Sequence, residues 1–161
     1  MAGNTPSIEI GRAAAREFLS IAALDRLAWP IVPDEYIPDG EHIWRVWCDF
    51  ATLLAARQSD TAPPLAETGH IAGAVVMFPT QTGELFLHKI MVHPALRGLG
   101  IGSRLMQAAL AEADRPVLLT VNPANVSAIK LYENFGYRIR EHVPGYYRPH
   151  EHRHIMIYEP R

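Results

Sequence analysis

Hydrophobic residues change their period several times along this chain, and each change marks an element. SIEI alternates as a short strand that Gly11 is placed to end. From Ala13 to Trp29 the stripe of Phe18, Leu19, Ala22, Ala23 and Leu27 is helical, and Pro30, Pro33 and Pro38 break it. The loop 29–42 leads to a second helix, EHIWRVWCDFA, which carries Trp44, Trp47 and Phe50. TLLAARQ reads as a strand, DTAPPLAETG as a connection, and HIAGAVVMF with ELFLHKIMV as two strands joined by the hairpin loop PTQTG. Leu105, Met106, Ala109, Leu110 and Ala113 then recur at helical spacing, and VLLTV forms the next strand. Asn125 is an N-cap for a helix whose buried stripe is Ala128, Leu131, Tyr132 and Phe135, with Gly136 as its stop. Two extended segments, YRIREHV and HIMIYE, finish the chain around PGYYRPHEHR. Strands interleaved with helices, including a crossover from Ser103 to Val121, predict one α/β domain over residues 1–161 with a mixed sheet.

Composition narrows the classes rather than the fold. With 161 residues, 48% hydrophobic and 20% charged, the chain can bury an ordinary globular core. A net charge of -2 offers no basic footprint for nucleic acid. No apolar run reaches the roughly 18 residues of a membrane span, and the N-terminal residues lack the signal-peptide pattern. A lone cysteine, Cys48, excludes an internal disulfide and a cysteine metal cage. A soluble cytoplasmic protein with no nucleic-acid or membrane partner is the expectation.

The candidate chemistry centres on LFLHKIMVHPALRGLGIGSRLM, residues 85–106. Gly98, Gly100 and Gly102 let the backbone approach a ligand and hold unusual dihedrals. A helix beginning near Ser103 aims its free N–H groups and positive dipole end at that loop, which makes an anion site suited to a phosphate or pyrophosphate. Arg97 stands at the loop's leading edge, where it can add a charge-assisted contact. A Walker loop is excluded because no Gly-Lys-Ser/Thr is present. A dinucleotide fingerprint fails because Ser103 stands where its third glycine belongs and HPALR separates the strand from the glycines. Arg97-x-x-Gly100-x-Gly102 satisfies a third pattern, Arg/Gln-x-x-Gly-x-Gly/Ala.

With that pattern the chain resembles the GNAT superfamily of acetyl-coenzyme A-dependent N-acetyltransferases. The likeness runs from about Leu85 to Tyr137 and includes NVSAIKLYENFGY, in which Asn125, Ala128, Leu131, Tyr132, Gly136 and Tyr137 fit N-x-x-A-x-x-L-Y-x-x-x-G-[FY]. The resemblance implies a mostly antiparallel mixed sheet of about six or seven strands flanked by about four helices. It implies acetyl-CoA as co-substrate, with the pyrophosphate on the amides of Gly98, Leu99, Gly100, Ile101, Gly102 and Ser103. The backbone of Ile90, Met91 and Val92 would pair with the pantetheine amides as an added strand does, and polarise the thioester carbonyl. Asn125 would contact the cofactor arm, cap its helix, or do both.

Acetyl transfer needs a neutral amine, donors for the oxyanion and a proton for the departing thiolate. The resemblance makes Tyr132 the general acid; a purely structural phenol is the alternative. Strand alternation puts Glu84, Phe86, His88, Ile90 and Val92 on one face. His88 matches the place of a catalytic histidine in arylalkylamine acetyltransferases, and an imidazole suits proton uptake near neutrality. Glu84 can act further back through water, and a hydrogen-bonded strand histidine is the other reading of His88. Families that acetylate protein N-termini are similar in a Tyr-Tyr pair, here Tyr146 and Tyr147, but carry Glu or His where this chain has Thr120.

The acceptor pocket is expected from the acidic loop with Asp34, Glu35, Asp39 and Glu41, from the helix around Trp44 and Trp47, and from the late connection. The acidic residues attract a cationic amine or merely sit at a helix start. The tryptophans favour the core over an amine cage. His150, His152 and His154 alternate but fit no strong metal spacing, so no metal is expected. Cys48 is a poor nucleophile candidate, which favours direct attack by the amine. The leading expectation is a small-molecule primary amine acceptor. A peptide or protein N-terminal or lysine acetyltransferase is the second reading, and a non-catalytic acyl-CoA sensor the third. Homodimerisation follows from family analogy alone.

Overall fold

The computed structural model describes residues 7–29 and 41–160. They form a seven-stranded mixed sheet with strand order β1-β2-β3-β4-β5-β7-β6 and four α-helices. The strands are β1 (Ile8–Arg12), β2 (Thr52–Gln58), β3 (Ile71–Pro79), β4 (Leu85–Val92), β5 (Val117–Val121), β6 (Arg138–Val143) and β7 (Arg153–Tyr158). The helices are α1 (Phe18–Ala28), α2 (Glu41–Phe50), α3 (Ile101–Ala111) and α4 (Val126–Asn134). The packing divides into two compact units: the described residues up to Phe78 with Lys89–Ala109, and Pro79–His88 with the described residues from Leu110 onward.

In the first unit β2 pairs antiparallel with both β1 and β3. Gly11 does not end β1; it pairs with Ala55, and the strand continues to Arg12. All of Ile71–Met77 is buried, so β3 has both faces covered. On one face Ala74 and Val76 join Ile21, Leu24, Trp44 and Trp47 in the core. On the other, α3 lies against Gly73, where an added Cβ would meet the Met91 carbonyl oxygen at 2.8 Å and Leu105 Cδ1 at 2.9 Å. A register shift between Ala56 and Arg57 leaves Ala72 as an extra residue in β3. Its carbonyl accepts a hydrogen bond from His93 N at 2.9 Å, which ties the chain leaving β4 to the middle of the sheet.

A polar network holds the two N-terminal helices to β4. Asp25, fully buried on α1, accepts from Lys89 Nζ at 2.9 Å and from Trp44 Nε1 at 3.0 Å. Lys89 also lies over the Trp47 ring, 5.1 Å from its centroid, and Arg26 lies over the Trp44 ring at 5.0 Å. Each buried charge is thereby paired, as burial requires. Both tryptophans belong to the core, and the cations they face are the protein's own.

In the second unit β4 begins parallel to β5, pairing Leu85 with Val117 and Phe86 with Leu118. β5 pairs antiparallel with β7, and β7 with β6. The expected buried stripe on α4 is corrected here: no residue of that helix is fully buried, and Leu131 is 45% exposed. A motif leucine need not be a core leucine.

Lys89→Met is expected to lower unfolding free energy by about 3 kcal/mol, because it strands a buried carboxylate. Asp25→Asn combined with Lys89→Met is expected to recover part of that loss, since both charges then go. Urea unfolding of the three variants against wild type checks both outcomes.

Candidate active site

The segment from His93 to Ser103 is held by its own capping bonds. His93 is buried; its Nδ1 accepts from Ala95 N at 3.2 Å and caps the short turn Pro94–Leu96. Its Nε2 lies 3.4 Å from the Ala66 carbonyl oxygen, so one imidazole links this turn to the β2–β3 connection. Gly98 and Gly100 have φ of +79° and +74°, backbone that a side chain disfavours. Gly102 differs from the expectation. The helix begins at Ile101 rather than near Ser103, so Gly102 lies in its first turn, where an added Cβ would meet only ordinary contacts with Val92 and Ile90. Gly100 O accepts from Arg104 N at 3.1 Å, which makes Gly100 the cap. The N–H groups of Ile101, Gly102 and Ser103 then lie in the first turn of an eleven-residue helix, where no carbonyl of the helix reaches them.

Arg97 has a structural partner. Its Nη2 donates to Ala28 O at 2.7 Å, closing the C-terminal end of α1. A guanidinium has five N–H groups, so this bond leaves donors for an anion. Arg104 Nη2 donates to Ile8 O at 2.6 Å and ties α3 to β1.

The second unit carries the side-chain candidates. Asn125 caps α4 as expected: its Oδ1 accepts from Ala128 N and from Ser127 Oγ, each at 3.1 Å. Tyr132 lies on α4, half-buried, and its hydroxyl makes no hydrogen bond among the described residues. Burial raises its phenol above the ordinary value, so it is protonated near neutrality. His88 is exposed on β4, between the buried Leu87 and the half-buried Lys89.

Glu84 stands outside the strand, in the β3–β4 turn. Its carboxylate accepts from Thr82 Oγ1, from Thr80 Oγ1 at 2.9 Å and from Arg140 Nη1 at 3.4 Å. Those bonds, the threonines' first, pull its pKa from 4.5 to about 2. So acidic a carboxylate is a poor proton acceptor near neutrality, which leaves His88 as the better strand candidate.

The other candidates separate by position. Cys48 is half-buried on α2, and burial raises its thiol pKa, which disfavours the thiolate a nucleophile needs. Two of the three alternating histidines, His152 and His154, neighbour a fourth on β6. His142 Nδ1 lies 3.3 Å from His154 Nδ1, its ring is 6.0 Å from that of His152, and His152 Nδ1 accepts from Gly145 N. Among the described residues no group of three or more His, Cys, Asp or Glu is spaced for a metal ion. None of their helices is long and apolar enough to cross a membrane. Asp34, Glu35 and Asp39 lie outside the described residues.

A glycine-capped helix N-terminus is a general anion site, and comparison with known proteins makes it specific. The model of the acetyltransferase (GNAT) family matches residues 21–137, well over half of the chain. The chain belongs to that family. It is a GNAT acyltransferase with the α+β fold of the family. A comparison with curated protein sequences finds no match. Among solved structures, the Escherichia coli ribosomal-protein-S18-alanine N-acetyltransferase is similar with a TM-score of 0.76 at 18% identity, over 96% of this chain and 94% of that one. Arabidopsis thaliana NAA60 in complex with acetyl-CoA has a TM-score of 0.75 at 16% identity, over 95% and 98%. Arabidopsis thaliana Naa50 with the bisubstrate analogue CoA-Ac-MVNAL has 0.69 at 17%, over 95% and 99%. At such identities these likenesses concern the fold.

Residues that the sequence reading of this GNAT chain passed over are Gly73, His93, Asp25 and Lys89. Gly73 lies inside an apolar run with no turn signal, and its demand comes from α3, which is distant in sequence.

Replacing Glu84 tests its place in the turn. A carboxyl held below its unfolded value stabilises the fold above about pH 4.5 and loses that contribution as pH falls toward about 2. Glu84→Gln is therefore expected to flatten stability against pH across that window. Chemical unfolding at several acidic pH values, compared with wild type, checks it.

Proposed function

We propose that this enzyme transfers an acetyl group from acetyl-CoA to a primary amine by direct attack, without an acyl-enzyme. The observation that carries the reading is the pair of positive-φ glycines, Gly98 and Gly100, opening onto the N-terminus of α3. Amides from Gly98 to Ser103 hold the pyrophosphate, and Arg97 adds charge. The backbone of Ile90, Met91 and Val92 pairs with the pantetheine amides, while Asn125 orders the start of α4. His88 takes the proton from the attacking nitrogen, and Tyr132, a neutral phenol, gives one to the sulfur as the carbon–sulfur bond breaks. Glu84 acts on the structure of the turn and not on the proton.

For the acceptor, a small-molecule amine is the first reading, because Thr120 on β5 cannot serve as a base where peptide-acetylating families carry Glu or His. A peptide N-terminus is the second, and a specific feature favours it. Tyr146 and Tyr147 are 38% and 59% exposed in the β6–β7 connection, with ring centroids 4.6 Å apart. Exposed aromatic pairs of this kind suit a peptide backbone or an extended apolar side chain.

A screen of small amines, peptides with free N-termini and lysine peptides with acetyl-CoA, followed by thiol release, tests the reading. Turnover on small amines supports the first acceptor class, and turnover confined to peptides replaces it with the second. Thiol release with no acceptor above background overturns transfer altogether. On the active acceptor, Tyr132→Phe is expected to lower kcat about 100-fold with little change in KM for acetyl-CoA. His88→Ala is expected to lower kcat/KM about 100-fold at neutral pH, read by the same thiol-release assay.

A further inference from the structure

Tyr137 immediately precedes β6 and is 3% exposed, yet its hydroxyl has no hydrogen-bond partner among the described residues. An unmade bond at a buried hydroxyl is unfavourable, and native structures keep few of them. A phenylalanine would fill the same space without that penalty. The ring is flanked by two other phenols: Tyr132, with centroids 5.9 Å apart and planes inclined by 60°, and Tyr158, at 5.7 Å and 44°.

Backbone geometry couples Tyr137 to Tyr132 in particular. The Tyr132 carbonyl accepts from Phe135 N at 3.0 Å and from Tyr137 N at 3.1 Å. Gly136, with φ of +91°, closes this turn, and an added Cβ there would lie 3.6 Å from the Tyr158 ring. One helix terminus therefore sets the positions of both tyrosines. Burial first, and then the repulsion that an ionised Tyr132 or Tyr158 would exert, holds the Tyr137 phenol far above the ordinary phenol range. It keeps its proton near neutrality, so a donor is available there.

We propose that Tyr137 is a positioning residue whose hydroxyl donates a hydrogen bond to the Tyr132 oxygen once that oxygen has given up its proton. This rests on the reading of Tyr132 as the general acid. As the tetrahedral intermediate collapses, the carbon–sulfur electron pair goes to sulfur. The Tyr132 O–H bond breaks and an S–H bond forms, leaving the negative charge on the Tyr132 oxygen. Tyr137 stabilises that charge without releasing its own proton. The proton that His88 takes from the amine nitrogen is released to solvent and Tyr132 regains one from solvent, so His88 and the tyrosine pair end each turnover unchanged. A hydrogen bond to a charged acceptor is about twice as strong as one between neutral groups, so the gain comes when the phenolate forms.

Two measurements on Tyr137→Phe decide the matter. The first needs no turnover: the ionisation of Tyr132 is read as the ultraviolet phenolate difference between proteins with and without Tyr132→Phe. Its midpoint is expected to rise by about one pH unit when Tyr137 is also Phe. The second is kinetic. Tyr137→Phe is expected to lower kcat about tenfold at unchanged KM for acetyl-CoA, with thermal stability unchanged or higher. Adding it to Tyr132→Phe is expected to produce no further loss, because it acts through that residue. An unmoved Tyr132 midpoint, or an equal loss of kcat in both backgrounds, overturns the proposal. If wild type acetylates no amine, the transfer reading falls, while the titration still decides the hydrogen bond.

Discussion

The close approach of β3, β4 and α3 at Gly73 is the constraint on which the rest of the first unit depends. No side chain fits there, because a single methyl would press on the Met91 carbonyl at 2.8 Å and on Leu105 at 2.9 Å. The helix that follows the glycine loop can thereby lie directly on the sheet. Its N-terminus is aimed by packing at Ile101 and Leu105, both almost wholly buried, rather than by the loop itself. The bulge at Ala72 and the bond from His93 then bring the end of β4 into the same frame. A rigid core is what permits a precise site made of backbone.

Beneath the other face of β4 the device is polar. Asp25, Lys89 and Trp44 meet in a part of the core where aliphatic residues would pack as well or better. What the network adds is directional. A carboxylate that must satisfy an ammonium and an indole admits few placements of α1 and α2, and Arg97 closes α1 from the far end through Ala28.

The elements with strong local signals were legible in the sequence. β2 and β5 occupy the residues that alternation predicts, and Asn125 and Gly136 terminate α4 as capping chemistry requires. The glycine loop was legible too, because the dihedrals at positions 98 and 100 favour glycine. Errors arose where distant segments decide. α3 begins two residues earlier than expected, since packing of Ile101 extends the helix past what spacing alone suggests. Leu131 sits at a helical core position but is exposed, because periodicity records a face without recording what covers it. Glu84 shares the parity of His88 yet belongs to a turn, where two threonines and an arginine claim its oxygens. Tyr137 fits a motif position open to Phe or Tyr, and only the packing around it shows that its hydroxyl has no hydrogen-bond partner among the described residues.

The anion cradle of Gly98, Gly100 and the first turn of α3 contains no group that titrates between acid and alkaline denaturation. Backbone amides neither gain nor lose protons there. Occupancy of such a cradle follows the charge of the ligand and the ionic strength, whereas the proposed proton transfers depend on side chains of the other unit. Capture and chemistry therefore answer to different features of the medium: the first to salt, the second to acidity. A cell that changes one can leave the other untouched.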